Sequence, residues 1–144
     1  ECRPLPGLLE LLEWCDREGV ACCVVTNAPR STAVQLLACL GLGGRFSTER
    51  VVCGQECEHT KPHPAPYLAG LELLQVEPHA SMAFEDSPSG VRAAVGAGIA
   101  TVGILSTASK EALEGAGAFL TVPDFAGEAL GAALAGKLAM TRSL

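Results

Sequence analysis

Basic residues are sparse in this sequence: Lys and Arg total 10 against 16 Asp and Glu, for a net charge of −6. They form no stripe, aromatic residues are only 4%, and no RNA-type aromatic motif occurs, so nucleic-acid binding is disfavoured. No run is apolar enough to span a bilayer. The longest uncharged stretch, residues 93–109, is broken by Gly96, Gly98 and Gly103 and reads as a helix end, a turn and a strand. The opening Glu1-Cys2-Arg3-Pro4 shows neither a signal-peptide pattern nor an initiator Met. Internal repeats, charged tails and low-complexity linkers are absent as well, and no Cys-x2-Cys pair occurs.

What is present suits a packed core. The chain has 144 residues, 49% of them hydrophobic, with abundant Gly and Ala, as expected for one α/β domain over residues 1–144. Its seven cysteines are Cys2, Cys15, Cys22, Cys23, Cys39, Cys53 and Cys57. An odd number, several within apolar runs, reads as reduced thiols of a cytoplasmic or organelle-interior protein. Cys53, Cys57, His59 and His63 resemble a zinc string, but Pro62 and Pro64 stiffen that segment and no second pair supports it.

Helical periodicity starts after Pro6-Gly7, with Leu8, Leu11, Leu12 and Cys15 on one face, and stops at Gly19. Residues 20–26 form a continuous apolar run of strand length, expected for a parallel strand covered on both faces. A helix capped by Ser31 or Thr32 follows, with Val34, Leu37 and Leu40 inward and Gly41 as its stop. A short strand at Val51-Val52-Cys53 precedes a Pro-rich loop and a helix started by Pro64, carrying Tyr67, Leu68, Leu71 and Leu74. Then come a strand over 81–84, a helix over 88–97, a strand over 101–105, a weaker helix near Glu111, a strand near 119–122 and a final helix. Asp124 is expected to cap that last helix, whose buried side carries Leu130, Ala133, Leu134 and Leu138. Alternating strands and helices indicate a doubly wound parallel sheet. Gly41-Leu42-Gly43-Gly44 follows a helix, not a strand, and is a turn rather than a dinucleotide fingerprint.

Three polar clusters fall where open α/β sheets bind ligands, beyond the carboxyl ends of the strands. Thr26-Asn27 ends the first apolar strand, Lys61 lies in the loop after the second, and Glu85-Asp86 ends the third. Hydroxyl and backbone N–H groups at Thr26 and Asn27 can hold phosphoryl oxygens. Lys61 can offset the charge of a transferring phosphoryl group. Asp86 can ligate a hard cation such as Mg²⁺, with Glu85 beside it or behind it. Each cluster alone has a plainer reading: a strand-end Thr, a solvated Lys, two acids favouring the start of the next helix. Their joint order along the chain favours a phosphate–metal site.

These segments resemble the haloacid dehalogenase superfamily of hydrolases, nearest its phosphoglycolate-phosphatase and β-phosphoglucomutase-like branch. Val24-Val25-Thr26-Asn27-Ala28 is similar to the family's second motif, Lys61-Pro62-His63-Pro64 to its third, and Phe84-Glu85-Asp86-Ser87-Pro88-Ser89-Gly90 to its fourth. The likeness spans residues 4–125. It implies Mg²⁺-dependent phosphoryl transfer through an aspartyl-phosphate, with Thr26 and Asn27 on phosphate, Lys61 stabilising charge, and Asp86 with Glu85 serving the metal. It implies a small phosphorylated metabolite as substrate. His63 and the start of the helix after Asp86 would shape the site without reacting.

One part of the pattern is lacking. The family's first motif, Asp-x-Asp, supplies the nucleophile and the acid/base, yet the only aspartates here are Asp16, Asp86 and Asp124. The family's cap is lacking too, and the resemblance implies a core without its first central strand. The expected function is therefore that of a phosphatase in the parent protein, with this chain alone inactive. A sugar-phosphate mutase and a non-catalytic phosphate- or partner-binding module are the alternatives.

Overall fold

A computed structural model describes residues 2–142. The elements run α1 (Leu8–Glu18), β1 (Val24–Thr26), α2 (Arg30–Cys39), β2 (Val51–Cys53), α3 (Ala65–Leu74), β3 (Met82–Glu85), α4 (Pro88–Gly96), β4 (Ala100–Ile104), α5 (Lys110–Ala116), β5 (Leu120–Val122) and α6 (Glu128–Arg142). This is the expected alternation, and every strand pairing is parallel. The sheet comes in two parts, β1 with β2 and β3-β4-β5 in order. Among the described residues no helix is long and apolar enough to cross a membrane, and all seven cysteines are unbridged.

Local chemistry explains the element ends. Gly19 closes α1 in the left-handed region at φ 68°, its N–H donating to the Asp16 and Cys15 carbonyls. Val20 N–H also donates to Cys15 O at 2.8 Å, residues 20–23 are irregular, and β1 begins only at Val24. The strand is thus shorter than its apolar run, because only three of those residues pair with β2. Helix α4 starts as its sequence suggests: the Ser87 hydroxyl accepts from Gly90 N–H at 3.1 Å and Pro88 fills the first turn.

Two expected caps are replaced. Helix α2 starts at Arg30, with Pro29 as its cap and no side-chain bond, so Ser31 and Thr32 lie inside the helix. The fixed proline φ presents Pro29 O to Ala33 N–H at 3.0 Å. Arg30 then anchors the helix start through Glu56 and the Thr48 and Val51 carbonyls, which also covers part of the outer edge of β2. Asp124 accepts from Ala126 N–H at 2.9 Å, an Asx turn ahead of α6 rather than its cap. Within α2, Ala33 and Leu37 are buried and Val34 is exposed.

Helix α3 lies across the divide between the two sheet parts. Tyr67 and Leu71 share a core cluster with Ala83 of β3 and with Ala93, Ala94 and Ala97 of the α4 region, and Val25 of β1 packs against it. Beyond β3, the interior continues through Val102, Ile104, Val122 and Leu130 and through Val91, Leu113 and Ala116. Gly7, at φ 78°, is required where the chain start crosses the loop before α6. A Cβ there would lie 2.4 Å from Ala126 N, and Phe125 N–H donates to Pro6 O at 2.9 Å.

Leu113 is fully buried, so Leu113→Ala is expected to cost about 2–5 kcal/mol in urea denaturation. Gly115 lies within α5, and a Cβ added there would have nothing within 4 Å. Gly115→Ala should add roughly 0.5–1 kcal/mol in the same experiment. Equal effects of the two would contradict this packing.

Candidate active site

The carboxyl end of β1 places Thr26, whose half-buried hydroxyl accepts from Ala28 N–H at 3.0 Å. This folds the chain sharply after the strand and leaves the hydroxyl proton free to donate. Asn27 follows and turns toward the Pro-rich loop after β2. Its Nδ2 donates to Lys61 O at 3.2 Å, and its Oδ1 accepts from Lys61 N–H at 3.1 Å. The Lys61–Pro62 peptide is cis.

From that anchored root the Lys61 side chain runs inward. Its ammonium donates to Val25 O of β1 at 2.9 Å and to Glu85 Oε1 at the end of β3. The side chains of Lys61 and Glu85 are only 9% and 8% exposed, so this pair is desolvated. The ammonium also sits 5.1 Å from the Tyr67 ring centroid, within cation–π range. Tyr67 donates its hydroxyl to the same Glu85 oxygen. Burial, and then the adjacent Glu85 charge, push the Tyr67 phenol well above its ordinary range, which keeps it a donor. Opposite these partners the Glu85 carboxylate lies against Gly90, where a Cβ would come within 2.0 Å of Oε2.

Asp86, one residue on, is exposed. Ser106 and Thr107 hydroxyls stand 3.5 Å from its Oδ2, and Thr107 donates to its backbone carbonyl at 3.0 Å. Asp86 therefore keeps a carboxylate largely open to a ligand at the start of α4, whose positive dipole end favours anions. Glu85 has one oxygen engaged by an ammonium and a phenol, so it serves Lys61 first. One open carboxylate with another beside it suits Mg²⁺, which is commonly held by one or two carboxylates with waters and phosphate oxygens completing the shell. Among the described residues no three His, Cys, Asp or Glu side chains converge.

The structure thus brings Thr26, Asn27, Lys61, Glu85 and Asp86 to the ends of β1 and β3. Tyr67, Ser106 and Thr107 join them, and the motifs alone do not mark these three as site residues. For Tyr67 a signal is present: a tyrosine on a buried helix face needs a partner for its hydroxyl. His63 accepts from Ala65 N–H at 3.1 Å and its ring lies 4.4 Å from that of His59. Cys57 points instead to Cys53 O. Cavities of about 460 and 590 Å³ lie elsewhere, beside β2 and between α1 and α6.

The family model of haloacid dehalogenase-like hydrolases matches residues 1–104. The chain belongs to that family. A phosphoglycolate phosphatase of Rhodospirillum rubrum is 37% identical over 121 residues, covering 84% of this chain and 49% of that protein. A phosphorylated carbohydrates phosphatase of Thermotoga maritima is 38% identical over 94 residues, covering 65% and 43%. The chain spans about half the length of these curated relatives. Among solved structures, CbbY from Rhodobacter sphaeroides in complex with xylulose-(1,5)bisphosphate superposes with a TM-score of 0.75 at 28% identity, covering 86% of this chain and 55% of that one. The parallel α/β core is thus the hydrolase family's fold, as its motifs suggest.

Tyr67→Phe removes a buried hydrogen bond to a carboxylate and is expected to cost about 1.5–3 kcal/mol by chemical denaturation. Gly90→Ala, which drives a methyl into that carboxylate, should cost about 1–3 kcal/mol. A neutral result for both would contradict the placement of Glu85.

Proposed function

We propose that the protein carrying this chain is a Mg²⁺-dependent phosphatase of a small phosphorylated metabolite, and that this chain supplies its phosphate and metal side. The observation that carries this reading is the buried Lys61 ammonium held between β1 and β3 by Val25 O and the Glu85 carboxylate, with Thr26 ending β1 one residue after Val25. An ammonium has three protons. Val25 O and Glu85 take two of them, and the third can meet a phosphoryl oxygen. Preorganised positive charge in a desolvated site is the most effective way to stabilise charge in such a transfer. Thr26 donates its hydroxyl proton to a second oxygen, and the Asn27 backbone N–H is suited to another.

Asp86 would hold the Mg²⁺, with Glu85 beside it. When bound, the ion offsets charge on the phosphoryl oxygens. The Ser106 and Thr107 hydroxyls, each 3.5 Å from Asp86 Oδ2, would steady that carboxylate. The nucleophilic aspartate belongs to residues other than these 144: Asp16 pairs with Arg45, Asp124 forms its turn, and Asp86 has the metal role. The named activities of the phosphatase relatives support phosphorylated small molecules as the substrate class.

In the full-length protein, with p-nitrophenyl phosphate and Mg²⁺, Lys61→Ala and Asp86→Ala should each lower kcat/KM by about 10²-fold or more. Chelation of the metal should stop turnover. The isolated chain should release no phosphate. Unchanged rates in both variants would sink the phosphatase reading, and turnover by the isolated chain would overturn the assignment of the nucleophile.

A further inference from the structure

We infer that Asn27 is a positioning residue for Lys61: its side chain clamps the Lys61 peptide so that the ammonium stands at one point between the half-sheets. The inference rests on the phosphatase reading for its catalytic consequence and on the following geometry for its substance.

A lysine has a flexible four-carbon stem, so one contact at its tip does not fix the charge. Here both ends are held. The tip meets Val25 O and Glu85, and the root meets the Asn27 carboxamide through a donor and an acceptor bond. The two residues are 34 positions apart in sequence, so the clamp is tertiary. Pro62 and Pro64 contribute no backbone N–H, and the His63 N–H bond to Thr60 O at 3.0 Å is a local turn that does not tie the loop to the sheet.

Gly54, after β2, makes the clamp possible. A Cβ at that position would lie 2.4 Å from Asn27 Oδ1. Gly54 does not have a positive φ, so its backbone conformation does not call for glycine. The space it leaves is taken by the Asn27 carboxamide. A residue separate from both partners thus has its identity explained by the same contact.

The consequence is specific. Loss of the carboxamide frees the root of Lys61 and lets the ammonium wander by more than the roughly 0.5 Å that a preorganised site tolerates. The Asn27 carboxamide, unlike its backbone N–H, then acts only through Lys61, and the effect of removing it should vanish when the ammonium is gone.

The test is a double-mutant cycle on p-nitrophenyl phosphate hydrolysis by the full-length protein. Asn27→Ala should lower kcat by about 10- to 100-fold, as supporting residues of a site commonly do, with KM changed far less. Gly54→Ala, which forces the carboxamide aside, should reproduce that loss. Adding Asn27→Ala to Lys61→Ala should cost no further activity, and adding Gly54→Ala to Asn27→Ala should cost none either. Multiplicative losses in the first pair would overturn the inference, since a general loop-closing role acts whether or not the ammonium is present.

A readout independent of turnover separates this inference from the phosphatase reading. Acetic anhydride labelling of Lys61, followed by peptide mass mapping, should be slow in the wild type and several-fold faster in both Asn27→Ala and Gly54→Ala. If the wild type hydrolyses no phosphate ester, the phosphatase reading fails while faster labelling still upholds the clamp. Unchanged labelling in both variants overturns the clamp whatever the activity.

Discussion

The ion pair between Lys61 and Glu85 is the interaction on which the rest of this structure turns. β1 bonds only to β2 and β3 only to β4, so no ladder of the described residues joins the two halves of the sheet. The Lys61 ammonium spans that divide by bonding Val25 O on one side and the Glu85 carboxylate on the other. Helix α3 closes the same divide from one face with Tyr67 and Leu71. Removing either charge would leave its partner's charge buried and uncompensated, a loss commonly of about 3–5 kcal/mol.

A buried pair of this kind is weak evidence for stability by itself, because an apolar replacement can serve as well. Its form makes better sense as a site. Three groups converge on one Glu85 carboxylate: an ammonium, a phenol that stays protonated, and a glycine that makes room. Glu85 is thereby committed to orienting Lys61, while Asp86, one residue further, stays open. Two adjacent acids take different tasks because alternate residues of a strand end face different surroundings.

The three motifs are readable in the sequence because each contains residue types with few other uses at a strand end, and because their order along the chain is the order of the strands. Helix α4 is readable for a similar reason, Ser87 and Pro88 being a direct statement of its first turn. What escapes such reading depends on contacts between distant segments. The Asn27 clamp spans 34 positions, the Tyr67 hydroxyl bond depends on how α3 crosses the sheet, and Ser106 and Thr107 matter only because β4 ends beside β3. The caps expected at Ser31, Thr32 and Asp124 are misplaced for the same reason. Arg30 and Pro29 fix α2 through partners after β2, and the Asx turn at Asp124 follows from the crossing at Gly7.

The most direct test of the account is a crystal structure of the full-length protein with inorganic phosphate and Mg²⁺. Phosphate should lie within hydrogen-bond distance of Thr26 Oγ1 and Lys61 Nζ, with the ion on Asp86. Phosphate bound elsewhere, with Lys61 still contacting only Val25 and Glu85, would contradict it: the ammonium would then be a structural bridge and not part of a phosphate site.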